Sequence, residues 1–263
     1  MSTLQDKIFI STCTSDKVSK LRYHLNNRGA KLFDLQMIEI ERAGITENLK
    51  YAFDNIKLFD WIIFTSSHGV SNFFELMKEH NHPPEWSQTI KFATIGKATS
   101  SKLMDYGVQA DFVSMGNRSI KMVREMTTVL GNKTIRILHP TGNLTGGVLA
   151  AELGKTHKIS SLVVYKTVPV QTMNHEILNK IYAGEYDLIF FFSPSAFRNF
   201  ISIIKPEFRS GCLRIACIGK TTERAVQDMG YYPLVVAQKS DIEGMIKETK
   251  IYYEKQLIKT SKL

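Results

Sequence analysis

Ile215-Ala216-Cys217-Ile218-Gly219-Lys220-Thr221-Thr222-Glu223-Arg224-Ala225-Val226-Gln227-Asp228-Met229-Gly230 reads as a short apolar strand, a turn at Gly219, a helix opened by two threonines and a glycine stop. The chain carries this pattern twice. Residues 93–107 align without a gap with residues 216–230, and Ala93, Ile95, Gly96, Lys97, Thr99, Asp105 and Gly107 recur, seven identities in 15 positions. Typical residue frequencies would give roughly one. Residues 60–73 match residues 187–200 at six of 14 positions in the same way. Two matches at nearly one offset mean two copies of one α/β unit.

Working outward, extended segments are expected at 7–10, 31–40, 60–64, 92–95, 110–113, 134–138, 159–167, 187–192, 213–218 and 234–237. Helices are expected at 15–28, 46–56, 67–78, 99–106, 119–130, 146–154, 175–182, 195–204, 222–229 and from 242 into the tail. Ser15 and Asp16 suit a cap for the first helix, and Ser240 with Glu243 has capping-box spacing for the last. Strands alternating with helices imply doubly wound parallel sheets covered on both faces. In such sheets ligands bind beyond the carboxyl ends of the strands. The turns Thr65-Ser66-Ser67, Gly96 to Thr99, Ser193-Pro194-Ser195 and Gly219 to Thr222 all fall at that edge. Free backbone N–H groups, hydroxyls and the positive end of a helix dipole there suit carboxylates or phosphates.

A length of 263 residues suits two domains of roughly 120 residues, each with its own core. With 43% apolar residues the chain is a folded protein. No basic-then-apolar leader opens it, and the longest apolar run, Leu188 to Phe192, is too short to span a bilayer. A soluble cytoplasmic protein with no membrane partner is the expectation. Cys13, Cys212 and Cys217 show no CxxC spacing, so no disulfide framework is expected. The net charge of +9 is spread thinly, without the aromatic interleaving of a nucleic-acid reader, and points to a small polyanion instead. Its densest part, residues 246–262, reads as a solvated helix. The final Ser261-Lys262-Leu263 also spells a peroxisomal address, too short a signal to weigh in a lysine-rich tail.

Three tempting motifs fail. Gly219-Lys220-Thr221 lacks the P-loop's earlier glycine, since Arg214 stands there. No G-x-G-x-x-G follows the first strand. His80 and His82 have near-ligand spacing but no accompanying ligand, and read as a surface loop. His24, His139, His157 and His175 are scattered and form no nucleophile–base arrangement with a serine. No metal site is expected.

Five segments in order, residues 60–70, 93–107, 163–167, 191–196 and 215–230 followed by Ser240 to Gly244, resemble the uroporphyrinogen-III synthase family of tetrapyrrole biosynthesis. The resemblance covers nearly the whole chain. It implies two similar flavodoxin-like α/β domains, one discontinuous because each half donates its first strand–helix segment. The implied domains are 1–36 with 169–263, and 43–162, joined by a two-stranded antiparallel hinge at 37–42 and 163–168. So thin a connection allows opening and closing.

The implied reaction takes hydroxymethylbilane, a linear chain of four pyrroles. It removes the terminal hydroxyl as water and closes the ring with inversion of the last pyrrole, without a cofactor. The substrate's eight carboxylates suit a basic protein whose helix N-termini face an interdomain cleft. The resemblance places Tyr165 as proton donor to the departing hydroxyl, a phenol being protonated at neutral pH. Ser66, Thr99, Ser193, Ser195, Thr221 and Thr222 would bind carboxylates while capping helices. Two departures stand out: His68 occupies a position where the family often has Asn, and the turn His139 to Gly147 lacks the family's arginine, so one carboxylate anchor is either missing or replaced by His139. A monomer is expected, with the preceding deaminase of the pathway as a protein partner the resemblance allows. The alternative is a non-catalytic two-domain sensor that binds a tetrapyrrole or another polyanion at the same edge. A sugar- or amino-acid-binding hinge protein is disfavoured by the missing export signal.

Overall fold

The computed structural model describes residues 2–80, 88–115, 119–131, 133–208 and 213–260. His82, Cys212 and residues 261–263 lie outside the described residues, as do the side chains of Ser15 and Asp16. In chain order the elements begin β1 (Ile8–Ser11), α1 (Ser15–Asn26), β2 (Lys31–Asp34), β3 (Ile38–Arg42), α2 (Glu47–Asp54), β4 (Trp61–Phe64) and α3 (Ser67–Glu79). They continue with β5 (Lys91–Ile95), α4 (Gly96–Met104), β6 (Phe112–Ser114), α5 (Ser119–Leu130), β7 (Arg136–Gly142), α6 (Val148–Leu153) and β8 (Lys158–Pro169). The last are α7 (His175–Tyr182), β9 (Leu188–Phe191), α8 (Pro194–Ile203), β10 (Ile215–Cys217), α9 (Lys220–Gln227), β11 (Val235–Val236) and α10 (Ile242–Thr260).

The chain divides into two units, Met1–Glu39 with Val168–Leu263, and Ile40–Thr167. Unit 1 holds a sheet of order β2-β1-β9-β10-β11, parallel throughout. Numbered within the unit, that order is 2-1-3-4-5, the flavodoxin-like winding. Unit 2 holds the order β8-β7-β4-β5-β6, also parallel, with β3 added beside β8. Superposing the repeats makes β4 equivalent to β9 and β5 to β10, so β7 and β8 take the places of β1 and β2. Unit 2 therefore has the same 2-1-3-4-5 winding, with its first two strands supplied late in the chain.

The aspartate that opens one repeat holds this swap in register. Asp187 Oδ2 accepts from the Ile8 N–H at 2.8 Å, and Asp60 Oδ2 accepts from the Arg136 N–H at 2.8 Å. Each clamps the first residue of a strand from the other sequence half. The repeated glycine stop is equally physical: Gly107 and Gly230 have φ of +74° and +83°, the left-handed region that ends a helix with least strain in glycine.

Strands buried on both faces read as unbroken apolar runs, and β4 (WIIF) and β9 (LIFF) are buried at every position. In unit 1, Ile10, Ile189, Phe191 and Ile215 pack with Leu178 of α7 and Phe197 and Phe200 of α8. Phe9, Phe190 and Ala216 pack on the other face with Leu21 of α1 and Met245 of α10. In unit 2, Ile62, Phe64, Phe92 and Leu138 meet Phe53 of α2 and Phe73 of α3, while Ile63, Ala93 and Ile137 meet Met126 of α5 and Leu149 of α6.

Some local expectations are corrected. The helices expected at Thr99 and Thr222 begin earlier, at Gly96 and Lys220, so neither threonine is a cap. The last helix is capped by Asp241, whose Oδ1 accepts from the Gly244 N–H at 2.8 Å, and not by Ser240. Ser240 Oγ instead fills the space a Gly219 side chain would need, 2.3 Å from its ideal Cβ. The turn expected from His139 is strand up to Gly142, because β7 stays paired to β8 after its ladder with β4 ends at Leu138. Pro140 then sits at an edge-like position, where a missing N–H is tolerated. Cys13 and Cys217 are buried and form no disulfide, and burial pushes the Cys217 thiol up to about 12. Such a thiol is inert.

Candidate functional site

The carboxyl edge of the unit 2 sheet brings Ser66, His68 and Tyr165 together. Ser66 is the N-cap of α3, its Oγ accepting from the Gly69 N–H at 3.0 Å. The same Oγ lies 3.1 Å from the Tyr165 hydroxyl, 99 residues away in sequence. His68, in the first turn of α3, lays its ring against the Tyr165 ring, with centroids 5.8 Å apart and planes tilted by 54°. Tyr165 is half-buried, and its hydroxyl has a fixed partner in Ser66.

Tyr165 gets there because β7 and β8 run on past the rest of the sheet. Their register shifts between Thr141 and Gly142, so Gly142 faces Tyr165. A methyl group at Gly142 would sit 2.5 Å from Tyr165 Cζ and 2.8 Å from its hydroxyl, so the ring packs directly on the glycine backbone. Beyond the bulge Asn143 brackets the same strand. Its N–H bonds the Tyr165 carbonyl at 3.2 Å, while its Oδ1 accepts from the Thr167 N–H at 2.8 Å and its Nδ2 donates to the Thr167 carbonyl at 3.3 Å. Backbone and side chain together hold the phenol against the Ser66 cap.

His139 lies below this edge rather than in it. It is 2% exposed, its Nδ1 lies 3.1 Å from Ser161 Oγ, and its Nε2 is buried with no partner. Burial lowers its pKa to about 4, so the ring is neutral at pH 7. A neutral, enclosed imidazole cannot replace an arginine as a carboxylate anchor.

In unit 1 the matching edge is built differently. Ser193 caps α8, accepting from the Ala196 N–H at 3.1 Å, and its Oγ lies 3.0 Å from Ser195 Oγ. Both serines are half-buried. Thr221 is exposed on α9, whereas Thr222 and its counterpart Thr99 are 2% and 5% exposed. The sequence-derived set thus divides. Ser66 meets Tyr165, Ser193 meets Ser195, Thr221 faces solvent, and Thr99 and Thr222 are largely buried in the first turns of α4 and α9. Sequence reasoning misses Gly142 and Asn143 as site residues, although a glycine inside a strand signals the close approach of another group. His80 is the C-cap of α3, with Nε2 3.6 Å from Asp54 Oδ1. Among the described residues no three His, Cys, Asp or Glu side chains cluster to hold a metal, and no helix is long and apolar enough to cross a membrane.

Comparison with known proteins points one way. The family model described as uroporphyrinogen-III synthase HemD matches residues 19–247. A "Porphyrin biosynthesis protein HemD" of Ruminiclostridium josui is 24% identical over 222 residues, 84% of this chain but only 44% of that protein. A "Uroporphyrinogen-III synthase" of Chlorobaculum parvum is 28% identical over 178 residues, 65% of this chain and 71% of that one. Among solved structures, a mutant uroporphyrinogen III synthase of Thermus thermophilus superposes with a TM-score of 0.65 at 14% identity, covering 95% of this chain and 99% of that one. A uroporphyrinogen-III synthetase of Helicobacter pylori gives 0.62 at 15% identity, covering 92% and 97%. At such identities these two likenesses speak for the fold.

Proposed function

The chain belongs to the uroporphyrinogen-III synthase family, and on that premise we propose that it dehydrates and cyclises hydroxymethylbilane, with inversion of the last ring, to uroporphyrinogen III. The observation that carries the reading is the Tyr165–Ser66 contact, a phenol held at the carboxyl edge of a doubly wound sheet by the cap of a helix. The terminal carbon–oxygen bond of the substrate breaks as the pyrrole nitrogen pushes electrons toward it. Tyr165 supplies the proton with which the hydroxyl leaves as water. For inversion the carbon attacked first is the substituted one, which carries no hydrogen. Its bond to the old bridge carbon then breaks, that bridge carbon closes on the ring's unsubstituted carbon, and the proton lost there restores the phenol. The pyrrole makes departure easy, so the larger task is to hold a flexible chain for closure at the less accessible carbon.

Ser66, Ser193, Ser195 and Thr221 are the proposed hydroxyl donors to substrate carboxylates, aided by the N-termini of α3, α8 and α9. Thr99 and Thr222, largely buried in the first turns of α4 and α9, are proposed donors at the same edge. The stretches 37–42 and 163–168 are the proposed hinge strands between domains 1–36 with 169–263 and 43–162. A cytoplasmic monomer, with the pathway's deaminase as supplier of substrate, completes the reading.

The deciding experiment generates hydroxymethylbilane in situ, adds the protein, and separates the oxidised products into I and III isomers. The III isomer is the expected product. Isomer I alone from a folded sample would leave a non-catalytic tetrapyrrole-binding protein as the better account.

A further inference from the structure

The amino edge of the unit 2 sheet, opposite the Tyr165 contact, holds a cavity of about 150 Å³ lined by Tyr51, Asn55, Leu58, Phe59, Arg136, Lys158 and Ser160. Its composition follows from the fold. Arg136 and Lys158 open β7 and β8 and are register partners, so their backbones lie roughly one strand spacing, about 4.8 Å, apart. Register partners point to one face, and Ser160, two residues on, shares it. That face is the one Leu138 shares with α2, which brings Tyr51 and Asn55 over the two cations.

Two like charges directly opposite each other across a ladder destabilise the pair. Among the described residues, no carboxylate forms an ion pair with Arg136 or Lys158. The nearby Asp60 is engaged through one oxygen with the Arg136 backbone N–H. Beside the cations Tyr51 and Leu58 are 65% and 48% exposed, large apolar surfaces gathered around one hollow. Apolar walls with a few convergent polar groups are the mark of a small-molecule site. An apolar cavity of about 150 Å³ accommodates a single six-membered ring.

We propose that this cavity binds a single-ring aromatic dicarboxylate. Arg136 and Lys158 each take one carboxylate, the ring lies among Tyr51, Leu58 and Phe59, and Asn55 and Ser160 supply hydrogen bonds. The carboxyl groups of isophthalate stand roughly 5 Å apart, within reach of two cationic side chains that spring from backbones one strand spacing apart. The site is independent of the proposed reaction.

Isophthalate is the probe, titrated into the full chain by calorimetry and followed by amide chemical shifts. Saturable binding with a dissociation constant below about 1 mM is expected, with the largest shifts at residues 51–59, 136 and 158–160. Arg136→Gln with Lys158→Gln should weaken it at least about tenfold, and Tyr51→Ser should weaken it separately; these side chains are exposed, so the fold should survive. Tyr165→Phe should leave binding unchanged. Glutarate has the same carboxylate spacing without the ring and should bind far more weakly. No saturation by about 10 mM isophthalate, undiminished binding in the double variant, or equal binding of glutarate would each overturn the proposal.

Discussion

The two units wind their sheets in one order and cap their third-strand helices with one residue type, yet only unit 2 brings a phenol to the cap. Ser66 and Ser193 are equivalent in the repeat, and each accepts a backbone N–H from three residues on. The second contact differs. In unit 1 the strand pair ends at Ser11 and Asp34, and Ser193 turns to Ser195. In unit 2 the corresponding pair continues to Gly142 and Tyr165, and Ser66 turns to the phenol. His68 stands where unit 1 has Ser195, and the buried His139 stands where unit 1 has Ser11. In one architecture used twice, two longer strands are what bring the phenol to the cap.

The widest difference to test is acid sensitivity. His139 has a folded-state pKa of about 4 against an ordinary 6.5. Between those values the unfolded chain binds a proton that the folded chain refuses, so stability falls as pH falls, by about 3 kcal/mol in all. Both tryptophans, Trp61 and Trp86, lie in the sequence of unit 2. Urea unfolding followed by their fluorescence at pH 7 and pH 4 should show this loss in the native chain. His139→Gln should lose about 3 kcal/mol less over the same interval, and equal losses would break the assigned asymmetry.

Tyr165→Phe should lower kcat about 100-fold or more with little change in melting temperature, because it removes one half-buried hydroxyl and leaves the ring in place. Full turnover in this variant would remove the phenol from the mechanism. Gly142→Ala should come next. Its methyl group would meet the Tyr165 ring at 2.5 Å, so the ring must swing from Ser66, and kcat should fall about tenfold. Reverting the ring contact in Gly142→Ala/Tyr165→Phe should add little to the loss of Tyr165→Phe alone.

The sharpest use of the comparison has the smallest effect. Ser66→Ala and Ser193→Ala each lose a helix cap, worth about 1 kcal/mol. Their melting temperatures should drop alike. Their kinetics should part: Ser66→Ala lowers kcat through Tyr165, while Ser193→Ala raises KM alone. Matching kinetic changes would mean that the two edges act as one kind of binding surface.

Much of this was legible in the residues themselves. The gapless repeat, the all-apolar runs of β4 and β9, the caps at Ser66 and Ser193 and the stops at Gly107 and Gly230 depend on chemistry within a few neighbouring positions. So does the choice of a parallel, doubly wound class, since strands alternating with helices leave few other packings. Thr99 and Thr222 show where local reading ends. As sequence each looks like a cap, but helices that begin at Gly96 and Lys220 place them inside the first turn, at 5% and 2% exposure.

What only the tertiary structure decided are the pairings between distant stretches. No local preference says that Asp60 clamps Arg136 or that Asp187 clamps Ile8, yet those contacts assign β7 to unit 2 and β1 to unit 1. The same holds for Tyr165 against Gly142 and Ser66, for the enclosed His139, and for the two cations side by side at the opposite edge. Side-chain periodicity reports which face of an element is covered. The partner that covers it is chosen by sheet register and by a single bulge, and both are set by the packing of the whole unit.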